Sequence, residues 1–132
     1  MSTPTYSPLY ARTGTVFMII GVWFFAAFLA FLVVGRSPVP TDAVGHYFVA
    51  FAASALVGWG WSLRVAGRDA ALRPLLALPT ATGMALMGLY RIIIVVASPE
   101  VRAWASWVPA FEAAACAVLA VAFARNGKKR NA

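Results

Sequence analysis

Three ionisable residues interrupt long apolar runs in this 132-residue chain: His46 in "GHYFVAF", Arg91 in "MGLYRIIIVV" and Glu112 in "PAFEAAAC". An arginine cannot shed its charge inside a protein, and its planar fork of donors suits a carboxylate. Arg91 and Glu112 therefore read as an ion pair. Histidine is the residue type that exchanges a proton near neutral pH. Together the three residues could hold an anionic or quinone-like head group, or pass a proton. Tyr47 and Tyr90, next to His46 and Arg91, would add hydroxyls near the same level. These five are the candidate ligand-binding residues; none is assigned a catalytic role.

Other chemistries lack their residues. One histidine without cysteine or carboxylate at ligand spacing makes no metal or haem site, so no metal and no cofactor are expected. There is no glycine-rich phosphate loop and no serine spaced as a nucleophile elbow. Cys116 is the single cysteine and makes no internal disulfide; it reads as a small buried apolar side chain.

The elements carrying these residues must be membrane helices. The chain is 62% hydrophobic and only 11% charged, against about 45–50% and about 25% in soluble domains. The net charge is +7, but the basic residues sit in short clusters between apolar runs. That is membrane topology, not a nucleic-acid-binding face. Four spans are expected, at about 13–34, 43–62, 75–97 and 103–124, each near the roughly 20 residues that cross a bilayer. The first is longer than a signal-peptide core and lacks a clear cleavage site, so it reads as a retained helix.

The breaks between spans have recognisable chemistry. Gly35, Pro38 and Pro40 stop the first helix, and Thr41 or Asp42 caps the second. Gly67 should end the second. Ser98, Pro99 and Glu100 look like a helix start, with Trp104 and Trp107 at the membrane interface. Pro109 leaves two options open: it kinks the fourth helix, or residues 99–106 form a separate interfacial turn.

Arginine and lysine counts set the orientation. Eight lie on one side (Arg12, Arg64, Arg68, Arg73, Arg125, Lys128, Lys129 and Arg130) and two on the other, Arg36 and Arg102. The eight-residue side should be cytoplasmic. The fold class expected is all-α, an integral membrane four-helix bundle with both termini cytoplasmic. Residues 1–12 form a tail, 13–125 a single transmembrane domain, and 126–132 a basic tail that anchors topology or touches anionic lipid heads. Arg91 then lies about 10 Å below the outer end of the third helix, and Glu112 about 13 Å into the fourth. On its helix His46 shares a face with Ala50, Ala53, Val57 and Gly60. Arg91 shares one with Met84, Met87 and Gly88, and Glu112 with Ala105, Ala115 and Cys116. Small residues on these faces let helices approach closely.

The segments "DAVGHYFVAFAASALVGWGWSLR", "RDAALRPLLAL", "GMALMGLYRIIIVV" and "WVPAFEAAACAVLAVAF" resemble the small four-helix membrane proteins grouped as domain of unknown function 4345. The likeness covers roughly residues 12 to 125, and DoxX-like proteins are more distant. The matching positions are Asp42, His46, Tyr47, Gly88, Arg91 and Glu112, although the family pattern has asparagine or phenylalanine near His46. The resemblance implies the four-helix architecture and the Arg–Glu pair, and assigns no reaction.

Three functional readings follow, in order. The first is a binding or accessory protein of the inner membrane, multi-pass, packing against a larger membrane complex or a second copy of itself, with the lipid bilayer as its other partner. The second is a small transporter or a lipid- or quinone-binding protein using His46, Arg91 and Glu112. An enzyme, as a membrane oxidoreductase subunit, ranks last.

Overall fold

A computed structural model describes residues 6–39 and 41–128. Pro40 and residues 129–132 of the basic tail lie outside the described residues, as do residues 1–5 of the expected N-terminal tail. The Trp104 and Lys128 side chains also lie outside the described residues. The described residues form helices joined by short connections, without strands. The helices are α1 (Pro8–Val34), α2 (Ala43–Arg68), α3 (Arg73–Ala97), α4 (Pro99–Ala105) and α5 (Val108–Lys128). All but α4 are long and apolar enough to cross a membrane. The first three extend past the apolar runs read from sequence, because a helical backbone needs no apolar side chain to continue. Pro8, at the first helical position, already has the required φ and gives up an N–H that would have no partner there.

The ends of the helices follow from local chemistry. Gly35, at φ 69°, closes α1 in the left-handed conformation, and its N–H donates to the Phe31 carbonyl. Asp42 caps α2 by accepting the Gly45 N–H at 2.7 Å. Gly67 does not end α2, which runs on to Arg68. Gly67 is instead a contact residue: a Cβ there would stand 2.9 Å from that of Ala11. Ser98 caps α4, with Pro99 at its first position. Ser106 then takes a positive φ of 52° and breaks the chain before α5. Of the two options at Pro109, the separate turn is what forms, as the short helix α4. The fourth long helix therefore starts at Val108 rather than 103.

The residues expected as one transmembrane domain gather into two compact units, the first ending at Arg73 and the second beginning at Pro74. The first unit is an antiparallel pair of α1 and α2. Successive contacts run up one helix and down the other: Ser7 with Gly67, Gly14 with Gly60, Gly21 with Ala53, and Phe31 with His46. Glycines set the spacing. A Cβ on Gly60 would come within 2.5 Å of the Gly14 carbonyl oxygen, and one on Gly21 within 2.7 Å of that of Ala53. Side chains cannot occupy that gap, so the backbones touch, as small residues permit between membrane helices. Phe17 and Trp59 fill the space beside it, ring edge to face at 5.0 Å.

In the second unit α3 and α5 are likewise antiparallel, with Ala77 beside Gly127 and Gly88 beside Ala113 and Cys116. The buried residues of α3 are Ala77, Thr80, Ala81, Met84 and Gly88, a helical stripe. Each long helix also turns large apolar side chains outward. Val33, Phe51, Val96 and Val118 are all at least two-thirds exposed.

Candidate functional site

Arg91 and Glu112 meet within the second unit. Arg91 Nε donates to Glu112 Oε2 at 2.5 Å. Gly88, one turn before Arg91, makes this geometry available. A Cβ there would lie only 3.3 Å from the Ala113 carbonyl oxygen and the Cys116 Cβ, so α3 and α5 come close beside the pair. The contact uses one nitrogen and one oxygen, not the bidentate fork. The other guanidinium N–H groups and Glu112 Oε1 have no partner among the described residues. The side chains are 26% and 44% exposed, so the pair opens to the outside of the protein.

Its depth differs from the sequence reading. Arg91 stands six residues from the end of α3 at Ala97, about 9 Å at about 1.5 Å per residue. Glu112 is four residues into α5, about 6 Å rather than about 13 Å. The reason is α4, which removes residues 99–105 from the spanning helix. It also removes Ala105 from the Glu112 face; of the other two residues expected there Cys116 is buried and Ala115 is exposed, and Ala113 is the second buried residue on α5 near the pair.

His46 belongs to the first unit and sits in the first turn of α2. It is 1% exposed and stacks flat on Phe31, with ring centroids 4.0 Å apart and planes at 12°. Its Nδ1 lies 2.8 Å from the Asp42 carbonyl oxygen. A carbonyl only accepts, so Nδ1 donates in this contact. Nε2 is buried without a hydrogen-bond partner. A buried polar atom left unmet costs about 1–3 kcal/mol. His46 is therefore held by packing and one bond, with a second polar atom unused.

Tyr47 and Tyr90 do not add their hydroxyls to these groups. They are 64% and 61% exposed and face outward, Tyr47 with its ring edge-on to Phe48. Sequence neighbours on a helix point about 100° apart, so Tyr47 turns away from the side that buries His46, and Tyr90 from the side on which Arg91 meets Glu112. Among the described residues no three His, Cys, Asp or Glu side chains group as metal ligands do.

Two arginines counted only as topology charges have structural roles. Arg73 donates from Nε to the Ala66 carbonyl at 2.9 Å and from a terminal nitrogen to that of Gly67 at 3.0 Å. The Tyr10 hydroxyl donates to the Arg73 carbonyl at 3.1 Å. Arg102 donates to the Val95 and Val96 carbonyls at 3.1 and 3.2 Å. Both arginines bond carbonyls that a helix end leaves without an intrahelical partner, although the Gly67 carbonyl also accepts the Ser7 N–H at 2.9 Å. The available signal was a basic residue six or seven positions after residues of the last turn of an apolar helix. No family model, curated protein or solved structure matches the chain.

Proposed function

We propose a multi-pass inner-membrane protein of the binding or accessory type, with both termini cytoplasmic, whose Arg91–Glu112 pair is the contact point for a partner. The observation that carries this reading is the incomplete pair. Charges in hydrocarbon are costly, about 2.5–3.5 kcal/mol each by insertion scales. Pairing neutralises these two, yet it leaves guanidinium donors and a carboxylate oxygen open on an apolar surface. A polar group from a neighbouring membrane protein, or from a second copy, completes them. The resemblance to domain of unknown function 4345 implies only the four-helix architecture and the Arg–Glu pair, and assigns no activity. The test is purification in mild detergent with cross-linking at position 91. A stoichiometric partner or a dimer cross-linked there is expected. A monomer at every concentration, with no cross-link, overturns the reading.

A second reading has its own observation: the unmet Nε2 of His46. A small transporter or a lipid- or quinone-binding protein would give that atom a hydrogen-bond partner from its ligand. In that case His46→Phe abolishes ligand retention while leaving the partner cross-link at position 91 intact.

A further inference from the structure

One depression in the first unit is lined by Tyr6, Arg12, Thr15, Arg64 and Arg68, with a volume of about 390 Å³. None of the three arginines has an ion-pair or hydrogen-bond partner among the described residues. Asp69 lines the adjoining depression with Arg64 and Arg68, but its Oδ1 already accepts the Ala71 N–H at 2.8 Å. Three like charges gathered in one hollow favour an anion between them. Arg64 reaches the hollow by crossing α1 at Gly14, where a Cβ would lie 3.0 Å from the arginine Cγ.

The basic hollow continues into an apolar one. The next depression, about 550 Å³, shares Thr15 and Arg64 with it and runs over Met18, Ile19, Val22 and Trp23. A third shares Val22 and passes between Phe25, Ser54 and Val57. From Thr15 to Phe25 is ten residues of helix, about 15 Å. That equals about half the thickness of a bilayer's hydrocarbon core. A cationic cup at one end and an apolar channel one leaflet long match an amphiphile with an anionic head.

We propose that this groove on α1 and α2 binds an anionic phospholipid, with its phosphate among Arg12, Arg64 and Arg68 and one acyl chain along Met18, Val22 and Trp23. The site is independent of the Arg91–Glu112 pair and of any partner there.

The test uses the full chain in phosphatidylcholine vesicles containing a brominated-chain lipid, which quenches tryptophan on contact. Brominated phosphatidylglycerol should quench at a lower mole fraction than brominated phosphatidylcholine, and Trp23→Phe should remove the difference. Arg12 and Arg68 are exposed, so Arg12→Gln and Arg68→Gln leave the fold intact. Each should weaken the preference about five-fold, the gain of about 1 kcal/mol per basic residue converted at about 1.4 kcal/mol per decade. Arg125→Gln, in the other unit, should leave it unchanged, and soluble glycerol phosphate should not displace the lipid. Equal quenching by the two lipids overturns the proposal. So does an Arg125→Gln loss as large as the others, which means general surface charge, and so does displacement by glycerol phosphate, which means a phosphate site without a chain.

Discussion

Arg73 and Arg102 perform one task at two helix ends, each reaching back six and seven residues to the last carbonyls of an apolar helix. A charge-assisted bond to an otherwise orphaned carbonyl is worth about 1–3 kcal/mol when shielded and less in solvent. Arg73→Gln should therefore lower stability by about 1–2 kcal/mol, and the exposed Arg102→Gln by under about 1 kcal/mol. Thermal melting in detergent measures both. Glu100 adds a pH-dependent part at the start of α4. Its own backbone N–H and then the Ser98 hydroxyl bond the carboxylate and hold its pKa below the usual value. A depressed carboxylate stabilises the fold above its unfolded pKa, and that contribution fades as pH falls through the lower folded value. Loosening of the α4 start should thus appear below about pH 4, read by exchange of the Val101 amide, and Glu100→Gln should remove the pH dependence. At this scale the sequence carried the types and signs of the charges. It did not carry their use, because Arg73 and Arg102 act on backbone atoms that no side-chain pattern records. Nor did it carry the outward turn of Tyr47 and Tyr90, which depends on the rotation of α2 and α3 about their axes.

Among the elements, contact between backbones decides what a substitution costs. Gly60 faces the Gly14 carbonyl and the Met18 backbone, whereas a Cβ on Gly58, two residues away, meets nothing within 4 Å. Gly60→Ala should cost about 1–3 kcal/mol or force α1 and α2 apart. Gly58→Ala should be neutral or stabilise by up to about 1 kcal/mol through helix propensity. The pair of melting curves separates packing from propensity. Ser106 holds a backbone conformation costing about 1–3 kcal/mol in a non-glycine residue, so Ser106→Gly should raise the melting temperature. Gly35, Asp42 and Ser98–Pro99 were readable as boundaries because each acts through its own backbone or its nearest neighbours. Gly67 was not, because a glycine that admits another helix looks the same in sequence as one that ends its own. Pro109 was silent for a related reason: it is tolerated both at a kink and in a first turn, and α5 uses it in the first turn.

For the whole chain, the outward apolar side chains set the solvent. Faces built from Val33, Phe51, Val96 and Val118 are stable against hydrocarbon and would aggregate in water. Composition alone carried this, since 62% apolar residues exceed what a chain of this length can bury. Fusing a cytoplasm-active reporter and an export-active reporter to each terminus tests the proposed orientation, and only the cytoplasm-active ones should function. What composition left out is the division into two helix-pair units, which depends on which glycines oppose which backbones. One charge pair joins α3 to α5, and a double-mutant cycle in lipid nanodiscs measures that joint. Arg91→Leu and Glu112→Leu should each destabilise the protein by about 1–3 kcal/mol, below the cost of stranding a fully buried charge because the pair is partly open. The double variant should recover at least about 1 kcal/mol of the combined loss. Strict additivity of the two losses would show that the guanidinium and the carboxylate do not act on one another.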